Sequence, residues 1–233
     1  MGILDSFKAR KALMTQQKGN VAEAKKAYEE LYAGNYISAG YLLPYSVLLL
    51  REGGEENYLK VKEILKKAEK APDLDAGRKQ QLFMNYAVAQ YKLGEIEKAI
   101  QLLEASHRKA PCGLTYQSLG WLYIESGDAE KALAYNQEAL DYDDEDSIVL
   151  DNLGQTYYRL LNDKEKAKEY FDKAHAIKDT QIDTLYFLAQ YDKEAGNKEE
   201  ALKKLETALE GRFSPLNYAT KEKVQAGIDA LKQ

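Results

Sequence analysis

Residue types that commonly carry catalysis or bind metals are scarce in this chain of 233 residues. It has two histidines, His107 and His175, and one cysteine, Cys112. Its densest charge run, Asp141–Asp146, reads D-Y-D-D-E-D and lacks the central glycine of a calcium loop. The sequence contains no Gly-x-Ser-x-Gly elbow and no phosphate-binding loop. We therefore predict no catalytic site, no cofactor and no metal site, and a protein that is not an enzyme.

These residues also have structural interpretations. Both histidines fall late in a predicted helix, where an imidazole packs or faces solvent. Cys112 follows Pro111 in a predicted loop. The aspartates of the charge run precede the next predicted helix, where the positive end of the helix dipole favours negative charge. We favour these structural interpretations over chemical ones.

Composition narrows the functional classes further. With 33 basic and 38 acidic residues, the net charge is −5. No basic patch is dense enough to hold a phosphate backbone, so we expect no nucleic-acid partner. No stretch approaches the ~20 apolar residues that cross a bilayer, and contact with a membrane is not expected. A single cysteine fits a reducing compartment, so we predict a cytoplasmic protein.

The N-terminal residues allow two interpretations. Gly2, with Ser6 four residues later, matches the short pattern for N-myristoylation. Alternatively, these residues begin an ordinary first helix, with Ile3, Leu4 and Phe7 on its packing face. We adopt the second interpretation, and the sequence does not settle whether Gly2 is acylated.

The secondary structure of the chain is clearest in the stretch Thr115–Leu140. Apolar residues lie at three- and four-residue spacings, which is typical of one helical face. Gly127 and Asp128 then interrupt the pattern, because glycine suits a tight turn and aspartate suits the cap of a following helix. A second amphipathic helix follows, with small Ala132 on its inner face. The stretch therefore predicts a helix–turn–helix hairpin.

This hairpin recurs along the chain. The small residue of the first helix repeats at intervals of 35, 40, 33, 34 and 35 residues. A period near 34 with two helices per unit is typical of one class of repeat. The first-helix positions are Ala12, Val47, Ala87, Gly120, Gly154 and Ala189, and the second-helix positions are Ala24, Val61, Ala99, Ala132, Ala167 and Ala201.

Because these first-helix and second-helix positions recur with the same period, the chain resembles the tetratricopeptide repeat (TPR) family. The closest matches are L-G-W-L-Y…G-D…A at Leu119–Ala132 and L-G-Q-T-Y-Y…A at Leu153–Ala167. The resemblance implies an all-α fold, a right-handed α-α superhelix of stacked repeats. First helices would line its concave side and second helices its convex side.

We predict six repeats over residues 1–213, at about 5–38, 39–75, 80–112, 113–146, 147–180 and 181–213. Residues 214–233 are predicted to form a capping helix, with Ser214 as its N-cap and Pro215 at its first position. In the second repeat we expect Pro44 in the first turn of a helix and a later helix over Tyr58–Lys70. Pro72–Gly77 is predicted to be the longest connection.

The resemblance also indicates a candidate binding groove, formed by first-helix residues that do not pack on their hairpin partner. Aromatic and amide side chains there would contact a peptide, and Trp121 ranks first among them. The candidates are Met84, Asn85, Tyr91 and Lys92 in the third repeat, Gln117, Trp121 and Glu125 in the fourth, Asp151, Asn152, Gln155, Tyr158 and Arg159 in the fifth, and Tyr186 and Gln190 in the sixth.

Two functions remain open at this point. The first is an adaptor or scaffold whose groove binds a peptide segment of another protein. The second is a structural subunit that assembles through its ends or its convex face, as a homo-oligomer or within a complex. The sequence names neither the partner nor the pathway.

Overall fold

A computed structural model describes residues 2–232 of the chain, and the regular elements within that range are all helices. The chain divides into two compact units, Met1–Ser106 and His107–Gln233. Each unit is built from helical hairpins. The predicted all-α fold of stacked helix–turn–helix repeats is therefore confirmed.

Unit 1 contains three hairpins. Its helices are α1 (Ile3–Gln17), α2 (Val21–Ala33), α3 (Ala39–Glu52), α4 (Glu55–Ala68), α5 (Ala76–Lys92) and α6 (Ile96–His107). Helix α1 packs against α2 and α3, and α3 packs against α4 and α5. Three fully buried tyrosines join α2 to α3, because the ring of Tyr28 lies 6.1 Å from that of Tyr41 and 5.6 Å from that of Tyr45.

Unit 2 contains three further hairpins and a terminal helix. Its elements are α7 (Gly113–Ser126), α8 (Ala129–Tyr142), α9 (Ser147–Gln155), a π-helix (Thr156–Leu160), α10 (Lys164–Ile177), α11 (Ile182–Glu194), α12 (Lys198–Leu209) and α13 (Lys221–Lys232). Consecutive elements pack on one another from α7 to α13. Phe171 of α10 stacks on Phe187 of α11 with ring centroids 4.9 Å apart, so the second and third hairpins share one core.

Turn and cap residues place the helix boundaries. Gly127 ends α7 in the left-handed conformation, with φ of 80°, which glycine adopts without steric cost. The Asp128 side chain then accepts a hydrogen bond from the backbone N–H of Lys131 and caps α8. Asp146 caps α9 in the same way, accepting from the backbone of Ile148 and Val149. The structural interpretation of the acidic run is confirmed at Asp146.

Small residues allow the helices of a hairpin to approach closely. A Cβ added at Gly120 would lie 2.1 Å from Asn136 Oδ1, and one at Gly154 would lie 2.5 Å from the Phe171 ring. Both distances are far below van der Waals contact. The small residues predicted at these two first-helix positions therefore have a direct steric explanation.

The second hairpin differs from its predicted boundaries. Helix α3 begins at Ala39, so Pro44 lies in its second turn rather than its first, where it has no N–H to donate to the carbonyl of Gly40. Helix α4 begins at Glu55 rather than Tyr58. Gly53 and Gly54, with φ of 76° and 91°, reverse the chain in two residues, so the loop is shorter than predicted.

The extra residue of the fifth repeat is absorbed within its first helix. Where the other repeats turn at a glycine, the fifth has Leu161-Asn162-Asp163, with one extra residue. The segment before it forms the π-helix Thr156–Leu160, in which the Leu161 N–H donates to the carbonyl of Thr156, 3.2 Å away. The π-helix ends at Leu160, and Asn162, two residues later, takes the left-handed conformation with φ of 54°. The inserted residue is thus accommodated by a wider helical turn rather than by a longer loop.

The terminal segment also corrects the sequence prediction. Ser214 and Pro215 form a turn, not a helix start, and α13 begins only at Lys221. The connection from Leu209 to Lys221 is therefore longer than the one at Pro72–Gly77, where Asp73 accepts hydrogen bonds from the backbone of Ala39 and Gly40. Asp73 fixes that connection to the start of α3.

The first helix does not bury the residues predicted for its packing face. Leu4 and Phe7 are each 70% exposed, whereas Ala9 and Ala12 are buried. The small alanines face α2 and α3, so the larger apolar residues lie on the opposite side. The side chain of Ile3 is outside the part that the structure describes.

Candidate functional site

The predicted groove residues fall on four first helices in two units. Helix α5 of unit 1 carries the first four of them, Met84, Asn85, Tyr91 and Lys92. The remaining ten lie in unit 2, and the structure brings them together from three successive first helices. They are Gln117, Trp121 and Glu125 on α7, Asp151, Asn152 and Gln155 on α9, Tyr158 and Arg159 on the π-helix, and Tyr186 and Gln190 on α11.

Several of these side chains are buried and cannot contact a ligand from solvent. Trp121 is only 5% exposed, and Gln155 is fully buried. Within unit 2, α9 packs against α7, α8 and α10, which cover its side chains. The buried members are Met84, Asn85, Trp121, Asp151, Asn152 and Gln155, and the partly exposed members are Tyr91, Lys92, Gln117, Glu125, Tyr158, Arg159, Tyr186 and Gln190.

The two asparagines join neighbouring first helices. Asn85 Nδ2 donates to Ser46 Oγ of α3 at 2.8 Å. Asn152 Nδ2 donates to the carbonyl of Gln117 on α7 at 2.9 Å. Because both amides are already used between repeats, they stabilise the stack rather than stand ready for a ligand backbone.

A chain of polar contacts runs beneath the surface of unit 2. Asp151 accepts a hydrogen bond from Thr184 Oγ1 at 2.6 Å and one from Gln155 Nε2 at 2.7 Å. Gln155 Oε1 in turn accepts from Arg159 Nη1 at 3.0 Å, and Arg159 pairs with Glu125 at 2.7 Å. Side chains of α7, α9, the π-helix and α11 are thus connected in one network.

Arg159 also lies at the centre of a partly exposed aromatic surface. Its guanidinium carbon is 4.1 Å from the centre of the Tyr218 ring, within the range of a cation–π contact. The ring of Tyr218 lies 6.1 Å from that of Tyr186, one turn from Gln190 on α11. We call Glu125, Arg159, Tyr186, Gln190 and Tyr218 the Arg159 surface. It combines aromatic faces with hydrogen-bonding groups.

Tyr158 is partly buried beside this surface. Its ring lies 5.0 Å from Phe187 and 5.8 Å from Tyr191, and the Nζ of Lys164 is 5.6 Å from its centre. Most of its contacts are with the core shared by α10 and α11. Tyr158 therefore contributes to packing as well as to the partly exposed face.

Two buried carboxylates support the same region. Burial raises the pKa of Asp151 to about 7, and the nearby charge of Asp183 acts in the same direction. Burial raises the pKa of Asp183 as well. Asp183 accepts hydrogen bonds from the backbone N–H groups of Ala219 and Tyr218 and from Asn217 Nδ2. It thereby fixes the segment that carries Tyr218 onto α11.

Sequence reasoning missed Tyr218 and Asp183. Tyr218 was placed inside a predicted terminal helix, where its contact with Arg159 could not be foreseen. Asp183 lies in the first turn of α11, where an aspartate is common and does not by itself indicate a contact with a distant segment. The usable signal was the Ser214-Pro215 pair, which also fits a turn that brings the following residues back onto the last repeat.

His107 makes contacts typical of a structural histidine. His107 Nδ1 is 3.0 Å from Thr115 Oγ1, its ring lies 4.5 Å from that of Tyr116, and burial lowers the pKa of the imidazole. Within residues 2–232, no three His, Cys, Asp or Glu side chains gather closely enough to hold a metal ion. Over the same range, no helix is sufficiently long and apolar to cross a bilayer.

Comparison with protein families gives one match. Residues 115–146 and 149–179 match a family model described as tetratricopeptide repeat. These stretches span α7 with α8 and α9 with α10. A search of curated proteins gave no match.

Solved structures share the fold across most of the chain. A tetratricopeptide repeat protein from Parabacteroides merdae superposes with a TM-score of 0.77 at 11% identity, covering 100% of this chain and 86% of that one. PilW, described as a type IV pilus biogenesis factor, gives 0.67 at 15% identity, covering 97% and 99%. YrrB, described as a TPR protein with an unusual peptide-binding site, gives 0.52 at 20% identity, covering 76% and 88%.

Proposed function

Because this chain is a tetratricopeptide repeat protein, we propose that it is a non-catalytic adaptor that binds a peptide segment of another protein. The proposal includes no cofactor and assigns the protein to the cytoplasm. Proteins with this fold generally mediate protein–protein interaction. The proposal assigns the peptide to the first-helix side of unit 2, at the Arg159 surface.

The contact set of Arg159 is the observation that carries this proposal. The Arg159 guanidinium forms an ion pair with Glu125 of α7 and donates a hydrogen bond to Gln155 of α9. It also lies over the ring of Tyr218, in the segment between α12 and α13. Arg159 therefore connects groups of two successive repeats with the segment between α12 and α13, and the partly exposed members form one surface. Rigid aromatic side chains with adjacent polar groups are typical of the residues that dominate peptide and protein binding.

The buried groove candidates take a different role in this proposal. Trp121, Asp151, Asn152 and Gln155 form a supporting layer that holds the Arg159 surface in place. Gln117, whose Nε2 donates to Asp146 Oδ2 at 2.6 Å, and Tyr158 border the surface as secondary contacts. The four α5 candidates belong to unit 1 and stay a separate prediction.

Peptide selection tests the proposal. The full chain is immobilised and exposed to a random peptide library, with a Tyr186→Ala, Gln190→Ala variant used for counter-selection. We expect peptides that bind the wild-type chain and not the variant, with apolar side chains alternating with polar positions. Failure to enrich any peptide, or enrichment of peptides that bind both proteins equally, would contradict the proposal.

A second candidate function, self-assembly, is favoured by a different observation. Four large apolar residues of unit 2 are exposed near the helix ends that face the inter-repeat connections. They are Leu114 at 44%, Tyr142 at 53%, Ile148 at 37% and Ile177 at 50%. Light scattering over a range of concentrations tests this candidate. Association that is lost in a Tyr142→Ser, Ile177→Ser variant would support it, and a monomer at all concentrations would exclude it.

A further inference from the structure

Helix α1 has an apolar face that nothing in the described part of the chain covers. Leu4 and Phe7 are 70% exposed and Met14 is 50% exposed. At separations of three and seven residues, these side chains project from one side of the helix. Ala9 and Ala12, which face α2 and α3, lie on the opposite side. The exposed face is therefore additional to the packing of unit 1.

The same face is basic. Lys8, Arg10, Lys11 and Lys18 are all exposed, and within residues 2–232 none of them has an ion pair or other partner. The only acidic residue of α1 is Asp5, which is partly buried on the packing side. Apolar and cationic side chains thus alternate on one exposed face, which we call the α1 face: Leu4, Phe7, Lys8, Arg10, Lys11, Met14 and Lys18.

We propose that the α1 face docks on the surface of an anionic lipid bilayer. Phenylalanine, leucine and methionine side chains would enter the boundary between headgroups and acyl chains, with the helix lying in the plane of the interface. Lysine and arginine stems lie along the apolar layer while their charged ends reach the phosphates. This peripheral contact differs from the expectation that the protein meets no membrane.

Charge distribution favours one orientation on such a surface. Helix α1 carries Lys8, Arg10 and Lys11 against Asp5, a net charge of +2, although the whole chain carries −5. The residues outside α1 therefore carry −7 and are repelled by anionic lipid. Attraction at α1 and repulsion elsewhere direct the helix toward the bilayer.

Charge also argues against a second copy as the occupant. A symmetric contact between two α1 faces would bring Lys8, Arg10, Lys11 and Lys18 of one copy against the same four cations of the other. No acidic side chain on that face compensates. Like charges placed together in this way oppose the contact.

Vesicle binding tests the proposal with the full chain. Intact mass is first used to select protein without an acyl group, so that any binding reflects the helix alone. The protein is sedimented with vesicles of phosphatidylcholine and with vesicles that also contain phosphatidylserine. We expect binding only to the phosphatidylserine vesicles, weakening as salt concentration rises.

Matched variants separate the apolar and the cationic contributions. Leu4→Glu with Phe7→Glu is expected to abolish sedimentation, whereas Leu59→Glu, at a residue 50% exposed on α4, is expected to leave it unchanged. Lys8→Gln with Lys11→Gln should weaken binding by about tenfold or more. Lys66→Gln with Lys70→Gln, which removes equal charge from α4 and its end, should not. Unchanged melting temperatures confirm that the variants fold.

Three results would overturn the proposal. The first is no binding of the wild-type chain to phosphatidylserine vesicles. The second is an equal loss of binding in the α1 and α4 variants, which would indicate a general charge effect. The third is a dimer that Phe7→Glu dissociates, which would make the α1 face a protein–protein contact.

Discussion

Asn136 fills the space beside Gly120 and shows how closely single residues set the packing of a hairpin. Its Nδ2 donates to the carbonyl of Ala132 at 2.9 Å and to that of Gly120 at 3.3 Å. Asn152 makes the equivalent connection between α7 and α9. At the residue scale, several polar side chains that looked available for ligands are therefore occupied between repeats.

Gly120→Ala is expected to destabilise the protein by about 1–3 kcal/mol, because the new Cβ would lie 2.1 Å from Asn136 Oδ1. Gly77→Ala is the matched control. Its Cβ would meet nothing nearer than 3.6 Å, and alanine favours helix, so stability should stay equal or rise by up to about 1 kcal/mol. Urea unfolding measures both. Equal effects of the two substitutions would contradict the steric account of Gly120.

The buried Asp151 predicts a pH dependence of stability. Since its pKa of about 7 in the folded protein exceeds that of an exposed aspartate, the folded state holds this proton more tightly than the unfolded chain does. The resulting stabilisation is full below about pH 4 and is lost as pH rises through 7. The free energy of unfolding, measured from pH 5 to 8, should fall less steeply in Asp151→Asn than in the wild type. Identical slopes would contradict this assignment.

At the scale of elements, the apolar period and the turn residues were enough to predict most helices. Gly127 with Asp128 forms the predicted turn. The π-helix could not be predicted, because an inserted residue fits a widened turn or a longer loop equally well by pattern. The burial of Trp121 could not be predicted, because the repeat pattern identifies contacts within a hairpin and not those with neighbouring residues outside it.

Asn162 follows the π-helix and its cap Leu161 and takes the left-handed conformation, so substitutions there should differ in stability according to how readily each residue adopts a positive φ. Asn162→Gly is expected to leave stability unchanged or raise it slightly. Asn162→Val should cost about 1–2 kcal/mol, because a β-branched residue is strained at φ of 54°. Thermal or urea unfolding distinguishes them. Equal stability of the valine and glycine variants would contradict the left-handed conformation at Asn162.

Asp183 is predicted to hold the last segment of the chain in place. Asp183→Ala would remove the acceptor for the backbone of Tyr218 and Ala219, and hydrogen bonds to charged groups typically contribute about 1.5–3 kcal/mol each. Amide exchange in α13 should accelerate at least about tenfold. Asp179→Ala, at an exposed residue before α11, is the control. Unchanged exchange in the Asp183 variant would contradict this role.

At the scale of the whole molecule, the chain offers two kinds of surface. The Arg159 surface of unit 2 is partly buried, rich in aromatic rings and held by an internal polar network. The α1 face of unit 1 is fully open and mixes apolar with cationic residues. The Arg159 surface suits a peptide with apolar and polar side chains, and the α1 face suits a flat, negatively charged interface.

The most direct test of the adaptor account is a calorimetric titration of a selected peptide into three proteins. These are the wild-type chain, the Tyr186→Ala, Gln190→Ala variant, and a Gln137→Ala control at an exposed residue of α8. The account predicts that the surface variant raises Kd by about tenfold or more, because aromatic anchors dominate such interfaces. The control should bind as the wild type does. Equal affinity for all three proteins, with each correctly folded, would contradict peptide binding at the Arg159 surface.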